Sequence, residues 1–153
     1  MAVKHLPEGS HTVTPYLVVD NAAAALDFYR AAFGAQEKSR MPMGDKIGHA
    51  EFTIGDSNMM ISDEWPDMNI FGPTHRGGAT TMFMIYVEDA DAAFDRAVQA
   101  GARVDRPVAN QFWGDRTGTV IDPHGHKWTL ATHIEDVSPE EMQTRMAAYT
   151  AKP

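Results

Sequence analysis

His49 and Glu51 are the pair in this sequence best suited to proton chemistry. On a β-strand, residues i and i+2 share a face, so the carboxylate can orient the imidazole and fix its tautomer. If that face lines a pocket, the two can act as a general base and its orienter, or as two ligands of a displaced metal site. The alternative is a structural hydrogen bond at a sheet rim or dimer contact, because a one-residue slip in register sends both side chains to the other face. A second group, Trp113, Asp115 and Arg116, suits binding: the guanidinium can clamp a carboxylate or phosphonate beside the indole as an apolar wall. Arg116 can equally form an ion pair with Asp115 or Glu51 that fixes the entry of a strand. Counting about 67 residues on from His49 reaches Arg116, which would make the two pseudosymmetric.

The remaining histidines carry weaker signals. His124 and His126 sit in a turn, where solvated or backbone-bonded histidines are common although His-x-His can bind a metal. His133 ends a strand and can tie down the last helix, and His75 lies in a loop that could gate a pocket. Met59, Met60, Met82 and Met84 fall on expected inner strands, where thioethers give a soft lining for an apolar ligand or fill an irregular core. Met41, Met43 and Met68 fall in loop-like segments that could line the mouth.

The elements that must position these residues repeat. Tyr16 to Phe28 and Met84 to Arg96 each read as an apolar strand, an acidic turn and an Ala-rich helix, about 68 residues apart. In the first copy, His11 to Val19 reads as a strand, and Pro15 within it marks an edge or a position needing no N–H donor. Asp20-Asn21 can cap a helix from Ala22 to Phe33 that Gly34 closes, and strands over 47–54 and 58–63 follow around Gly55-Asp56-Ser57-Asn58. In the second, a strand from Thr80 to Val87 leads to a helix from Ala90 to Ala100 stopped by Gly101, then strands near 116–121 and 127–132. The unit is β-α-β-β, with short extra strands expected near 36–42 and 102–108. Pro66, Gly72, Pro73, Gly77 and Gly78 make 64–79 a linker or a loop over a pocket. Ser138-Pro139-Glu140-Glu141 opens a final helix to about Tyr149.

Composition narrows the function. At 153 residues, 43% of them hydrophobic, the chain can bury one sizeable core, so a single domain over 1–153 is expected, with modules at about 11–64 and 80–135, a loop at 65–79 and a last helix at about 138–150. Thirteen Lys and Arg against 21 Asp and Glu give a formal charge of −8, which disfavours nucleic acid and anionic membranes as partners and favours a small-molecule ligand. Without cysteine there is no disulfide, thiolate metal site or Cys nucleophile. No apolar run approaches the roughly 20 residues of a membrane span, and a cytoplasmic protein is the expectation.

The His11-Thr12-Val13-Thr14-Pro15-Tyr16-Leu17 opening, the Leu26-Asp27-Phe28-Tyr29 to Phe33-Gly34-Ala35 helix end and the Asp122-Pro123-His124-Gly125-His126-Lys127-Trp128 turn resemble the glyoxalase and bleomycin-resistance proteins of the vicinal oxygen chelate superfamily. Gly48-His49-Ala50-Glu51, Trp113-Gly114-Asp115-Arg116 and Ala131 to Asp136 resemble a branch sometimes mislabelled as demethylubiquinone methyltransferases. No nucleotide or methyl-donor loop supports that label. The resemblance, over about residues 8–136, implies an α+β fold of two pseudosymmetric βαβββ modules forming a cupped mixed sheet, usually in a homodimer. Active members of the superfamily hold a divalent metal through His and Glu at four strand positions, as a Lewis acid on adjacent substrate oxygens. By spacing these positions fall here on Thr14, Met60, Met82 and Thr129, which are poor ligands for such a metal.

Two functions follow. One is a small-molecule-binding or resistance protein whose pocket lacks the usual metal, with Trp113, Arg116, Met60, Met82, Thr129 and Thr14 as ligand contacts. The other is a lyase or isomerase using His49 and Glu51 as catalytic residues, with or without a divalent metal. No cofactor is assigned, and a divalent metal stays open.

Overall fold

The computed structural model describes residues 3–151, which group into two compact units dividing between Ala79 and Thr80. In the first unit, strand β1 (Tyr16–Val19) leads to helix α1 (Ala22–Phe33), then β2 (Gln36–Met43), β3 (Lys46–Ile54) and β4 (Ser57–Asp63). The strand order is β1-β4-β3-β2, with β1 parallel to β4 and the other pairs antiparallel. A 3-10 turn (Pro66–Met68) and the short helix α2 (Pro73–Arg76) follow. The second unit repeats the plan: β5 (Met82–Tyr86), α3 (Ala90–Gln99), β6 (Arg103–Asn110), β7 (Asp115–Ile121) and β8 (Lys127–His133), ordered β5-β8-β7-β6, with α4 (Pro139–Thr150) appended. The chain is therefore α+β, built from two βαβββ units. The expected short extra strands are full eight-residue edge strands, β2 and β6.

Local chemistry accounts for the elements. Asn21 and Asp89 cap α1 and α3 by accepting from Ala24 N–H and Ala92 N–H, and Gly34 ends α1 in the left-handed conformation. Helix α1 buries Ala22, Ala25, Leu26, Phe28, Tyr29, Ala32 and Phe33, a stripe at helical spacing, and Tyr29 stacks on Phe52 of β3 with ring centroids 5.6 Å apart. Leu17, Val19, Ala50, Phe52 and Ile61 complete that core from the sheet. In the second unit Trp128, Leu130 and Val120 of the sheet and Phe94 and Ala97 of α3 are buried. Buried carboxylates secure turns and helix starts. Asp63 accepts from Ala22 N–H and Ile47 N–H, and Asp122 accepts from His124 N–H, His126 N–H and the Trp128 indole.

Two expectations need correction. The strand expected from His11 begins only at Tyr16, because Pro15 has no N–H to donate; its carbonyl still accepts from Met60 N–H, and β1 stands at the end of the strand order as Pro15 suggested. Met41 and Met43 lie within β2, exposed, and not in a loop. The segment 64–79 carries ordered turns, and Gly72 packs so closely on β1 that a Cβ there would sit 2.7 Å from the Val18 carbonyl oxygen.

Candidate functional site

Strand β3 alternates: Ala50, Phe52 and Ile54 are buried on the side of α1, so His49 and Glu51 share the opposite face. Tyr16 of β1 reaches the same face across β4, over Met60, which pairs with both Tyr16 and Glu51. The Tyr16 hydroxyl lies 2.8 Å from His49 Nδ1, and His49 Nε2 lies 3.5 Å from Glu51 Oε1. A carboxylate only accepts, so Nε2 carries the proton, Nδ1 accepts, and the tyrosine donates. The result is a directed chain from phenol to imidazole to carboxylate, and Tyr16 is its member that the sequence reading missed.

Glu51 also lines a pocket of about 330 Å³ contained within the first unit. Residues 7–10 of the amino-terminal arm form one side, where Gly9 O accepts from the Asn58 amide; Thr14, Met60 and Lys38 contribute elsewhere. Lys38 reaches it because β2 bulges there: Glu37 pairs with Phe52 and Ser39 with Glu51, leaving Lys38 as the extra residue. The pocket thus brings together Glu51 and two of the four mapped positions, Thr14 and Met60.

The other two, Met82 and Thr129, belong to the second unit. Thr129 Oγ1 lies 2.8 Å from Thr119 Oγ1 and donates to Met82 Sδ at 3.2 Å, so its hydroxyl is engaged within the sheet. Neutral hydroxyls and thioethers do not suit a hard divalent ion, and among the described residues no group of three or more His, Asp or Glu is placed to hold one. The residues present do not fit the superfamily's metal.

Arg116 lies on the other side of its strand from the expected binding face. Its guanidinium forms a bidentate pair with Asp91 of α3 at 2.6 and 2.7 Å, and Nη1 donates to Asn110. The Arg116 guanidinium holds the Asp91 carboxyl below its ordinary range. The ion pair expected with Asp115 or Glu51 is not the one formed. Nor is Arg116 the counterpart of His49. Ala50 pairs with Ile61 as Gly118 pairs with Leu130, so the residue matching His49 is Thr117. The match is supported at the strand ends, where Asp63 and Thr132 each accept from the first helical N–H of their unit.

Asp115, itself buried at 5% exposure, is instead the centre of a cluster of exposed side chains. It accepts from the Tyr86 hydroxyl at 3.0 Å and the Trp113 indole at 3.2 Å, and lies 2.8 Å from His133 Nδ1. The second nitrogen of His133 faces Asp136 at 2.9 Å. Asp136 and then Asp115 raise the His133 pKa above its ordinary value, and the Asp115 carboxylate raises that of Tyr86. His133 therefore does tie down the segment leading to α4. Trp113 is committed to this cluster, and His75 stacks on Phe71 at 4.2 Å, away from the pocket. The hub role of Asp115 was not legible, since nothing in Trp113-Gly114-Asp115-Arg116 says which side chain is buried.

Comparison with known proteins agrees with this architecture. The chain is 41% identical over 140 residues to an uncharacterized protein of Mycobacterium tuberculosis (strain ATCC 25618 / H37Rv), covering 89% of this chain and 82% of the relative. It is similar to the crystal structure of an Arabidopsis thaliana gene product, with 27% identity and a TM-score of 0.64 over 79% of this chain and 98% of that one. It is also similar to TioX from Micromonospora sp. ML1, with 24% identity and a TM-score of 0.63 over 82% of this chain and all of that one, a likeness of fold alone. Residues 10–130 match the family described as the glyoxalase/bleomycin resistance protein/dioxygenase superfamily, and the chain belongs to that superfamily.

Proposed function

We propose that this chain is a small-molecule-binding protein whose ligand enters the pocket beneath the amino-terminal arm. The observation that carries the reading is the lining: Thr14 and Met60, the residues onto which spacing maps two of the superfamily's ligand positions, stand beside Glu51 as pocket wall. Apolar thioether surface with a few polar groups suits binding of an organic molecule without a Lewis acid. A cytoplasmic homodimer goes with this reading, and light scattering that reports the mass of one chain would remove the dimer from it. Thr14, Met60 and Glu51 are the ligand contacts. Trp113 and Arg116 fall outside the proposal because Asp115 and Asp91 engage them.

The test is a screen of organic ligands by thermal shift, repeated on Met60→Trp, which fills the pocket. Hits lost in the variant support the reading; hits that bind both proteins alike overturn it.

The chain Tyr16–His49–Glu51 favours a second reading, a lyase or isomerase with His49 as base and Glu51 as its orienter. Metal content measured by mass spectrometry on tag-free protein, His49→Ala and Glu51→Ala separates the cases. Stoichiometric metal lost in either variant would place a relocated metal site at these residues and favour the enzyme.

A further inference from the structure

The pocket carries charges of both signs that do not neutralise one another. Lys38 and Glu51 line the same 330 Å³ space, with Glu8 on the arm, yet no salt bridge joins Lys38 to either carboxylate. The arrangement is built into the sheet. A regular β2 would alternate Glu37, Lys38 and Ser39 across two faces, whereas the bulge keeps Ser39 opposite Glu51 and still leaves Lys38 on the pocket wall. Glu37, next in sequence, is removed from competition by its bidentate pair with Arg40, whose two bonds are each 2.8 Å. Glu51 is held in place through His49, whose other nitrogen is engaged by Tyr16.

We propose that this pocket takes a compact zwitterion with an apolar side group, its ammonium against Glu51 and Glu8 and its carboxylate against Lys38. The inference rests on the binding reading above and names the ligand class for that site. Each simpler ligand meets an obstacle. Two carboxylates against one ammonium make the lining net negative, which opposes a simple anion. A lone amine leaves the exposed Lys38 ammonium at the pocket wall unused. Met60 offers apolar surface that a small inorganic ion leaves uncovered. A molecule with both charges and an aromatic group meets all three demands, the ring lying against methionine sulfur.

The test uses three probes that share a ring and chain and differ in charge: phenylalanine, 3-phenylpropanoate and 2-phenylethylammonium, titrated calorimetrically into the full chain. Phenylalanine is expected to bind about tenfold more tightly than either analogue, as charge-assisted contacts at both ends require. Lys38→Met should reduce phenylalanine to the affinity of the amine, and Glu51→Gln to that of the acid. Equal affinity for all three, lost in Met60→Trp, would overturn the zwitterion while leaving the binding pocket intact. Equal affinity that survives Met60→Trp would overturn both, and so would preference for a singly charged probe that survives it. Absence of binding by all three at millimolar concentration would overturn the zwitterion, the pocket then standing or falling on its ligand screen.

Discussion

The Tyr16 hydroxyl donates to His49 Nδ1 at 2.8 Å, joining two strands that are not neighbours in their sheet. Met60 on the intervening β4 is the spacer, and the phenol spans it. With Glu51 able only to accept at the far nitrogen, the Nε2–H tautomer is the neutral form that satisfies both contacts. Nitrogen-15 NMR of the imidazole should show that tautomer in the native protein. Tyr16→Phe should release it to a mixture of tautomers and cost about 1 kcal/mol of stability, the usual worth of one hydrogen bond. An unchanged His49 spectrum in Tyr16→Phe would mean that the phenol does not set the proton.

The second unit should show a pH dependence centred on His133. Its folded-state pKa is raised above 6.5, first by Asp136 and then by Asp115, so the charged imidazole stabilises the native state. For a raised pKa the contribution is complete below the unfolded value and is lost as pH climbs through the folded value. Chemical denaturation across that window should show native stability falling relative to His133→Gln as pH rises. Parallel curves would sink the prediction.

Helix α4 buries none of its residues. Arg145 holds it, with bonds to Glu135 at 2.7 and 2.8 Å, to Glu141 at 2.8 Å and to the Phe112 carbonyl at 3.3 Å, while Tyr149 lies against Phe112. Arg145→Met should raise hydrogen exchange across 139–150 and leave β7 and β8 protected. Retained protection in α4 would assign its docking to the ring contact instead.

Gly114 admits no side chain. Its φ is +97°, and a Cβ would lie 2.1 Å from the Glu135 carbonyl oxygen, where the chain crosses to give Ile134 and Glu135 N–H to Gly114 O. Gly114→Ala should cost about 1–3 kcal/mol from backbone strain, measurable by urea denaturation, with further loss from the displaced crossing. A loss below this range would show that the crossing yields easily.

The sequence by itself determined what is local and periodic. Asn21 and Asp89 before Ala-rich runs, Gly34 after one, and alternating apolar residues in β3 and β4 placed helices and strands almost to the residue, because caps and burial patterns act over a few positions. The shared face of His49 and Glu51 was legible for the same reason, as period two leaves no alternative once Ala50 and Phe52 are buried. The ends of strands were less so. Pro15 shows locally that a donor is missing, but that His11 to Thr14 lie outside the strand depends also on what β4 offers as a partner. Only tertiary structure decided which charges meet. Arg116 turned to Asp91, 25 residues away, Asp115 gathered Tyr86, Trp113 and His133, and a β-bulge brought Lys38 to the pocket. Each outcome depends on strand register and on side chains brought close from distant parts of the chain, and that information lies in packing, beyond the reach of residue type and spacing.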